Sequence, residues 1–308
     1  MDKDVTCVRG LKGILRRRDL PSFFRMGNND QRPHPPLEVI WAETLSATRA
    51  DALILNTFST VLSHIRSIHP NTYAIGPLHA LLKFQLSHSH ESAPNDSSAS
   101  ASFWEENRSC IEWLDSQPPK SVLYVSFGSV AVVTRSKLLE FWHGLANSRT
   151  RFLWVLRPDL VNSGTSEGGD IPEELQNATR ERGFLVEWAP QEEVLAHSAV
   201  GGFLTHSGWN STLESMCAGV PMLCWPVFGD QQVNSRCVEH VWKIGLDMKD
   251  RCERGTIEKM VRELMHGNVE LRKSTVNLAD LARKSVSRGG SSYMNFQRLI
   301  QDIRSMRS

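Results

Sequence analysis

Charge of either sign is almost missing from this sequence in net terms. Its 308 residues hold 35 Lys and Arg against 34 Asp and Glu, a formal charge of +1. A balance that even, spread along the chain, gives no basic field for nucleic acid. Cysteine is sparse and scattered. Cys7, Cys110, Cys217, Cys224, Cys237 and Cys252 include no Cys-x-x-Cys pair. That excludes a zinc-ribbon spacing or a disulfide framework and points to thiols in a reducing compartment. Long apolar runs are missing too, since the longest, Ser121 to Val133, is too short and too polar to span a bilayer. The opening Met1-Asp2-Lys3-Asp4 is charged and carries no signal-peptide core, so a cytoplasmic location is expected.

Several signatures of nucleotide and nucleophile chemistry are also missing. There is no Gly-x-Gly-x-x-Gly for a dinucleotide oxidoreductase and no Gly-x-x-x-x-Gly-Lys-Ser/Thr for a P-loop NTPase. No Gly-x-Ser-x-Gly elbow marks a serine hydrolase. The only Asp-x-Asp is Asp2/Asp4 in the charged start, so no carboxylate pair for a metal-bound diphosphate is indicated. No internal repeat is present.

What is present is a globular composition, 40% hydrophobic, in a length that suits about two domains. In the first hundred residues, Leu37, Ile40, Trp41 and Leu45 recur at helical spacing, as do Phe58, Val61, Leu62 and Ile65. Ala52 to Asn56 reads as a short buried strand, and Tyr73-Ala74-Ile75 as a second one stopped by Gly76-Pro77. Residues 84–102 turn polar and aperiodic, which predicts an exposed linker.

From residue 109 the pattern becomes an ordered alternation. Val122 to Phe127, Phe152 to Leu156, Phe184 to Glu187, Gly202 to Thr205 and Met222 to Trp225 read as apolar strands, each followed by helix-compatible sequence. Leu138, Leu139, Trp142 and Leu145 mark one helix, and Ile257, Met260, Val261, Leu264 and Met265 another. The closing helix, opened by Gly289-Gly290-Ser291-Ser292, has Ser291 or Ser292 as its expected N-cap. Strands that are apolar throughout and separated by helices predict an α/β fold with a doubly wound parallel sheet.

Ligands bind outside the carboxyl ends of such strands. Two strand ends carry suitable residues: Ser126-Phe127-Gly128-Ser129, and Gly201-Gly202 through His206-Ser207-Gly208 to Glu214. In the second, a strand turns through glycine into a helix whose first N–H groups favour an anion. His206 can add an imidazole donor. Taken one at a time these residues also have plainer roles, Asn210 or Ser211 as a helix cap and His206 as a donor to a carbonyl.

Together they carry a resemblance. Trp188-Ala-Pro-Gln191 to His197, Gly201 to Glu214, Pro221 to Pro226 and Asp230-Gln231 resemble the plant secondary-product glycosyltransferase box of family 1 UDP-dependent glycosyltransferases. The box runs 44 residues without a gap, from Trp188 to Gln231. Ser121 to Ser129, Phe152 to Asp159, Gly289 to Ser292, Arg18 to Phe23 and Leu53 to Phe58 are similar to the family as well. The nearest subgroup includes 7-deoxyloganetic acid glucosyltransferases.

The resemblance implies a GT-B fold, two facing Rossmann-like domains with the sugar nucleotide on the C-terminal one. Domain boundaries follow: 1–83 as part of an N-terminal acceptor-side domain, 84–108 as linker, 109–288 as the UDP-sugar-binding domain, and 289–308 as a helix packing back towards the first domain. It implies that Trp188 stacks on uracil, that the Ala189 backbone meets the uracil edge, and that Gln191 and Glu214 hold the ribose. Ser129, His206, Asn210 and Ser211 would bind the diphosphate, and Trp209, Asp230 and Gln231 the sugar hydroxyls. Gln at the last box position implies UDP-glucose as co-substrate, with no metal or other cofactor. The expected partners are a UDP-sugar and a small lipophilic acceptor, with neither nucleic acid nor membrane insertion, and the chain is expected to be a monomer.

The family's catalytic base is a His near the start of its first domain, oriented by an Asp, and neither has a counterpart here. No catalytic residue is therefore assigned, and the chain is expected to be truncated at its N-terminus. Two readings remain at the level of sequence. One is an inverting glucosyltransferase acting on a hydroxyl or carboxyl of a terpenoid, iridoid or phenolic metabolite. The other is a UDP-sugar-binding remnant with little or no transfer, a weaker third being a structural partner of a full-length homologue.

Overall fold

The computed structural model describes residues 3–6, 12–21, 24, 35–58, 63–88, 104–158, 173–267 and 269–306. Cys7 and most of the expected linker, 89–102, lie outside the described residues. In chain order the elements are α1 (Pro35–Ala47), β1 (Leu53–Leu55), α2 (Ser63–Ile68), β2 (Thr72–Ala74), α3 (Leu78–His88), α4 (Ser109–Asp115), β3 (Val122–Ser126) and α5 (Arg135–Ser148). They continue with β4 (Arg151–Val155), α6 (Glu173–Arg182), β5 (Gly183–Val186), α7 (Gln191–Ala196), β6 (Val200–Thr205), α8 (Trp209–Ala218), β7 (Met222–Cys224) and α9 (Gln231–Arg236). A π-helical turn at Cys237–Val241 leads to β8 (Gly245–Asp247), α10 (Arg254–His266), α11 (Val269–Val286) and α12 (Ser291–Ser305). The chain divides into two compact units, residues 100–276 and residues 1–99 with 277–308.

The 100–276 unit is built on one six-stranded sheet, all parallel, in the order β5-β4-β3-β6-β7-β8. All five residues of β3 and all six of β6 are buried. A strand covered on both faces must be apolar along its whole length, and that is the pattern visible in the sequence. On one face Leu123, Val125, Phe152, Trp154, Leu204 and Leu223 pack against α5 and α10. Phe127, Phe141 and Trp225 form an aromatic cluster there, with centroids 4.7–5.3 Å apart. On the other face Tyr124 stacks on Phe203 at 4.9 Å, below α7 and α8. Helices thus leave β3 and β6 on opposite sides of the sheet, α5 from β3 and α8 from β6.

β8 was not read from the sequence. Gly245-Leu246-Asp247 is short and ends on a carboxylate, so no apolar run marks it. The carboxylate is accommodated by a buried ion pair to Lys249 (2.7 Å) and by the Ser235 hydroxyl, which donates to it. Lys249 also donates to the Gln232 carbonyl (3.3 Å), which fastens α9 beneath the sheet's carboxyl end.

The other unit holds a two-stranded parallel sheet, β1 beside β2, in register from Leu53 opposite Thr72 to Leu55 opposite Ala74. β1 is less buried than expected, with Ile54 more than half exposed. α1 forms where its spacing predicts, yet Val39, Ile40, Trp41 and Leu45 are exposed. The expected linker is helical at its start, because α3 continues to His88, where Phe84 stacks on His88 (4.3 Å) and meets Tyr293 edge-on.

α12 lies along the free edge of β2. Ser292 donates to the Gly76 carbonyl (2.6 Å), Asn295 to Ala74 (3.0 Å) and Arg298 to Thr72 (3.5 Å). Alternate residues of a strand point their carbonyls the same way, so three donors spaced along the helix satisfy one edge. This corrects the expected cap. Gly290 is the N-cap and uses no side chain, while the Ser292 hydroxyl is spent on Gly76.

Phe141→Ala empties the centre of the aromatic cluster and is expected to cost about 3–5 kcal/mol. Ser292→Ala removes one hydrogen bond and is expected to cost about 1 kcal/mol. Urea denaturation followed by tryptophan fluorescence and by hydrogen exchange at β2 checks both. The exchange loss for Ser292→Ala is expected at β2 and not at β3.

Candidate functional site

The strand order runs outward in both directions from the β3–β6 pair, so those two neighbours form the topological switch point. Their following helices diverge to opposite faces and open a crevice at the carboxyl ends. Both segments singled out in the sequence end there: Phe127-Gly128-Ser129 after β3, and His206-Ser207-Gly208 after β6.

His206 is held between two glycines. A Cβ on Gly128 would fall 2.4 Å from the imidazole Cε1, and one on Gly208 would fall 2.4 Å from Nε2. Gly128 also has φ +73°, a conformation that side chains resist. Both positions need glycine, and together they fix the plane of the ring. The His206 Nδ1 is buried and makes no hydrogen bond. Burial, with the Arg157 charge adding to it, pushes the His206 pKa down to about 4, so the ring is neutral at pH 7.

α8 starts one turn later with Gly208 as N-cap and no capping side chain. The first turn of a helix has N–H groups with no acceptor inside the helix, and the helix dipole adds positive potential there. Trp209 and Asn210 occupy that turn with Ser211. Asn210 is exposed and Ser211 is buried, while Trp209 is half-buried, its ring tilted against Trp242 at 6.3 Å.

Gln191 gathers the next group. Tyr124, rising from β3, donates its hydroxyl to Gln191 Oε1 at 3.2 Å. Gln191 Nε2 donates in turn to Ser211 Oγ (2.9 Å) and to Glu214 Oε2 (2.6 Å). Three residues named from the sequence, on two helices, are therefore one hydrogen-bonded set. Trp188 and Ala189 precede α7; Ala189 is buried, Trp188 is half-buried, and the Trp188 carbonyl accepts from the Asn107 amide at 3.0 Å.

Asp230 and Gln231 open α9. Gln231 Oε1 accepts from the amides of Val227 and Phe228, both at 2.9 Å. Two backbone donors settle which end of the carboxamide is oxygen and turn the NH₂ end the other way. Asn234 Nδ2 donates to the Asp230 carboxylate (2.7 Å) and to the Ser207 carbonyl (3.0 Å), which joins α9 to the loop after β6. Ser129 is exposed and enters the group through Gly128, its neighbour against the imidazole.

Sequence reasoning missed three supporting residues. Arg157 is buried at the end of β4 and donates to the carbonyls of Gly128 and Ala131, the latter at 2.9 Å. Its place just after an apolar strand gives no signal of that role in the sequence. Tyr124 is one of three tyrosines in the chain, set in an otherwise aliphatic strand, and that polar tip was the available signal. Asn234 had none. Among the described residues, no group of three or more His, Cys, Asp or Glu is arranged to hold a metal, and no helix is long and apolar enough to cross a membrane.

The fit around His206 gives two expected outcomes. Gly128→Ala costs about 1–2 kcal/mol for the left-handed backbone alone, with the clash against the imidazole added, and lowers the melting temperature. The folded His206 has a pKa below its ordinary 6.5, so the unfolded chain takes up the proton first as pH falls. Its contribution to stability is intact above about pH 6.5 and is lost by about pH 4. His206→Gln is expected to flatten that part of the stability profile in denaturation measured at stepped pH.

Comparison with known proteins agrees with the geometry. Residues 42–281 match the family model for UDP-glucoronosyl and UDP-glucosyl transferase. A 7-deoxyloganetic acid glucosyltransferase of Catharanthus roseus is 53% identical over 99% of this chain and 63% of its own length. A myricetin 3-O-rhamnoside 1,2-glucosyltransferase of Crocosmia x crocosmiiflora is 52% identical over 99% of this chain and 62% of its own. The chain thus spans less than two thirds of the length of these curated relatives. The crystal structure of Os79 from O. sativa in complex with UDP superposes with a TM-score of 0.79 at 30% identity, over 98% of this chain and 67% of that one. The fold is the Rossmann-like α/β fold of the GT-B glycosyltransferases, and the chain belongs to the UDP-glucoronosyl and UDP-glucosyl transferase family, among the plant family 1 glycosyltransferases.

Proposed function

We propose that the chain binds UDP-glucose through residues 109–288 and serves the inverting transfer of glucose to a small plant metabolite. The observation that carries this is the half-buried His206 imidazole, wedged between Gly128 and Gly208 at the β3–β6 switch point, beside the start of α8, which has no capping side chain. The helix start draws an anion, and the imidazole beside it can donate to a diphosphate oxygen there. His206, Ser129, Asn210 and Ser211 are the diphosphate group in this reading. The Gln191–Glu214 pair takes the ribose, Trp188 stacks on uracil, and the Ala189 backbone meets its edge. Trp209, Asp230 and the NH₂ end of Gln231 face the sugar hydroxyls.

In the transfer, an acceptor oxygen attacks the anomeric carbon while the bond to the diphosphate breaks and UDP leaves with the electron pair, the acceptor's proton passing to a base for which no residue of this chain is assigned. Charge grows on the departing phosphate. The α8 N–H groups and a neutral, donating His206 stabilise it from fixed positions, with no reorganisation at the moment of reaction. α12, within residues 289–308, is the helix assigned to the first domain, where it donates to β2.

The relatives' names favour an iridoid, other terpenoid or phenolic acceptor bearing a hydroxyl or carboxyl. The five described cysteines are free thiols, which suits a cytoplasmic enzyme; we take it as a monomer.

Isothermal titration with UDP, UDP-glucose and UDP-galactose tests the donor assignment. UDP-glucose is expected to bind more tightly than UDP-galactose. Trp188→Ala is expected to lose about tenfold or more in UDP affinity, the usual worth of a base–aromatic stack. Galactose binding at least as well would end the glucose assignment, and absence of UDP binding would end the whole reading. Glucoside formation across iridoid and phenolic panels, read by mass spectrometry, tests the transfer.

A further inference from the structure

The first part of the loop between β3 and α5 is tied at two points to one guanidinium. Arg157 is 4% exposed, and its two terminal nitrogens donate to the Gly128 and Ala131 carbonyls, the second at 2.9 Å. Between those anchors Ser129 and Val130 stand exposed at the tip, while Ala131 turns into the aromatic cluster. The Gly128 backbone end of the loop is the wall against which the His206 ring lies, with room for no Cβ. A planar fork with several donors suits this task, since one rigid group can hold two carbonyls at set positions. Buried charge also acts over a low-dielectric path, so it favours an anion nearby more than a surface charge would.

We propose that Arg157 is a positioning residue for the anionic end of the donor. Its fork folds residues 128–131 so that Ser129 points outward and Gly128 braces His206, and its charge favours a diphosphate on that side of the sheet. This rests on the reading that the site takes a UDP-sugar. Arg157 acts through the loop and through His206 and is assigned no contact with the ligand.

The test compares UDP with uridine, which shares the base and ribose and lacks the phosphates. Both are titrated calorimetrically into the full chain, its Arg157→Met variant and its Arg157→Lys variant. Arg157→Met is expected to lose about tenfold or more in UDP affinity, the worth of a charge-assisted interaction, with uridine affinity held within about twofold. Arg157→Lys keeps the charge and the stem but has no fork, and is expected to fall between wild type and Arg157→Met. It carries the test if Arg157→Met does not fold. UDP and uridine weakening together would mean general damage and would overturn the proposal. So would UDP affinity unchanged in Arg157→Met, or equal to wild type in Arg157→Lys. A wild-type chain that binds neither UDP nor uridine overturns the UDP-sugar reading itself, and this inference with it.

Discussion

The site depends on the direction in which two neighbouring strands hand their chains on. β3 and β6 are parallel and paired, yet α5 leaves to one face of the sheet and α8 to the other. In a doubly wound sheet that divergence leaves a crevice at their carboxyl ends. The start of α8, the loop after β3 and the His206 ring all border that gap, and the rest of the unit holds them there. The central strands β3 and β6 are buried along their whole length and close-packed on both faces, which makes them a rigid base for this.

Around the gap, burial sets the chemistry. Two glycines admit the imidazole, and the dry surroundings keep it neutral. A neutral ring presents one donor and one acceptor and does not repel Arg157 or the helix dipole. Supporting polar groups are held by hydrogen bonds. Gln191 is bonded at both ends of its carboxamide, Gln231 has its oxygen taken by two amides, and Asn234 bridges two segments. Few of these side chains have freedom left to rearrange when a ligand arrives, which is the condition for electrostatic stabilisation without reorganisation.

The unit with β1 and β2 shows where local pattern and tertiary outcome part. α1 formed as its spacing predicts, since 3.6-residue periodicity reports helix whatever covers it. The same spacing says nothing of burial, and Trp41 is exposed. Ser292 reads as a cap because serine before an apolar run normally is one. Its hydroxyl instead answers an unpaired carbonyl at the edge of β2, 216 residues away in the chain. A distant acceptor outweighed a local habit, and no local rule holds that information.

By itself the sequence determined the parallel α/β class, the five apolar strands of the larger sheet and the family, because apolar strands and a 44-residue box leave marks that need no partner to be seen. It named Gln191, Ser211 and Glu214 without saying that they touch. Tertiary structure alone decided that contact, the wedge of His206 between Gly128 and Gly208, the fork of Arg157 and the place of β8. Each of those joins residues far apart in the chain through shape and burial, and an apolar pattern records burial without recording the neighbour.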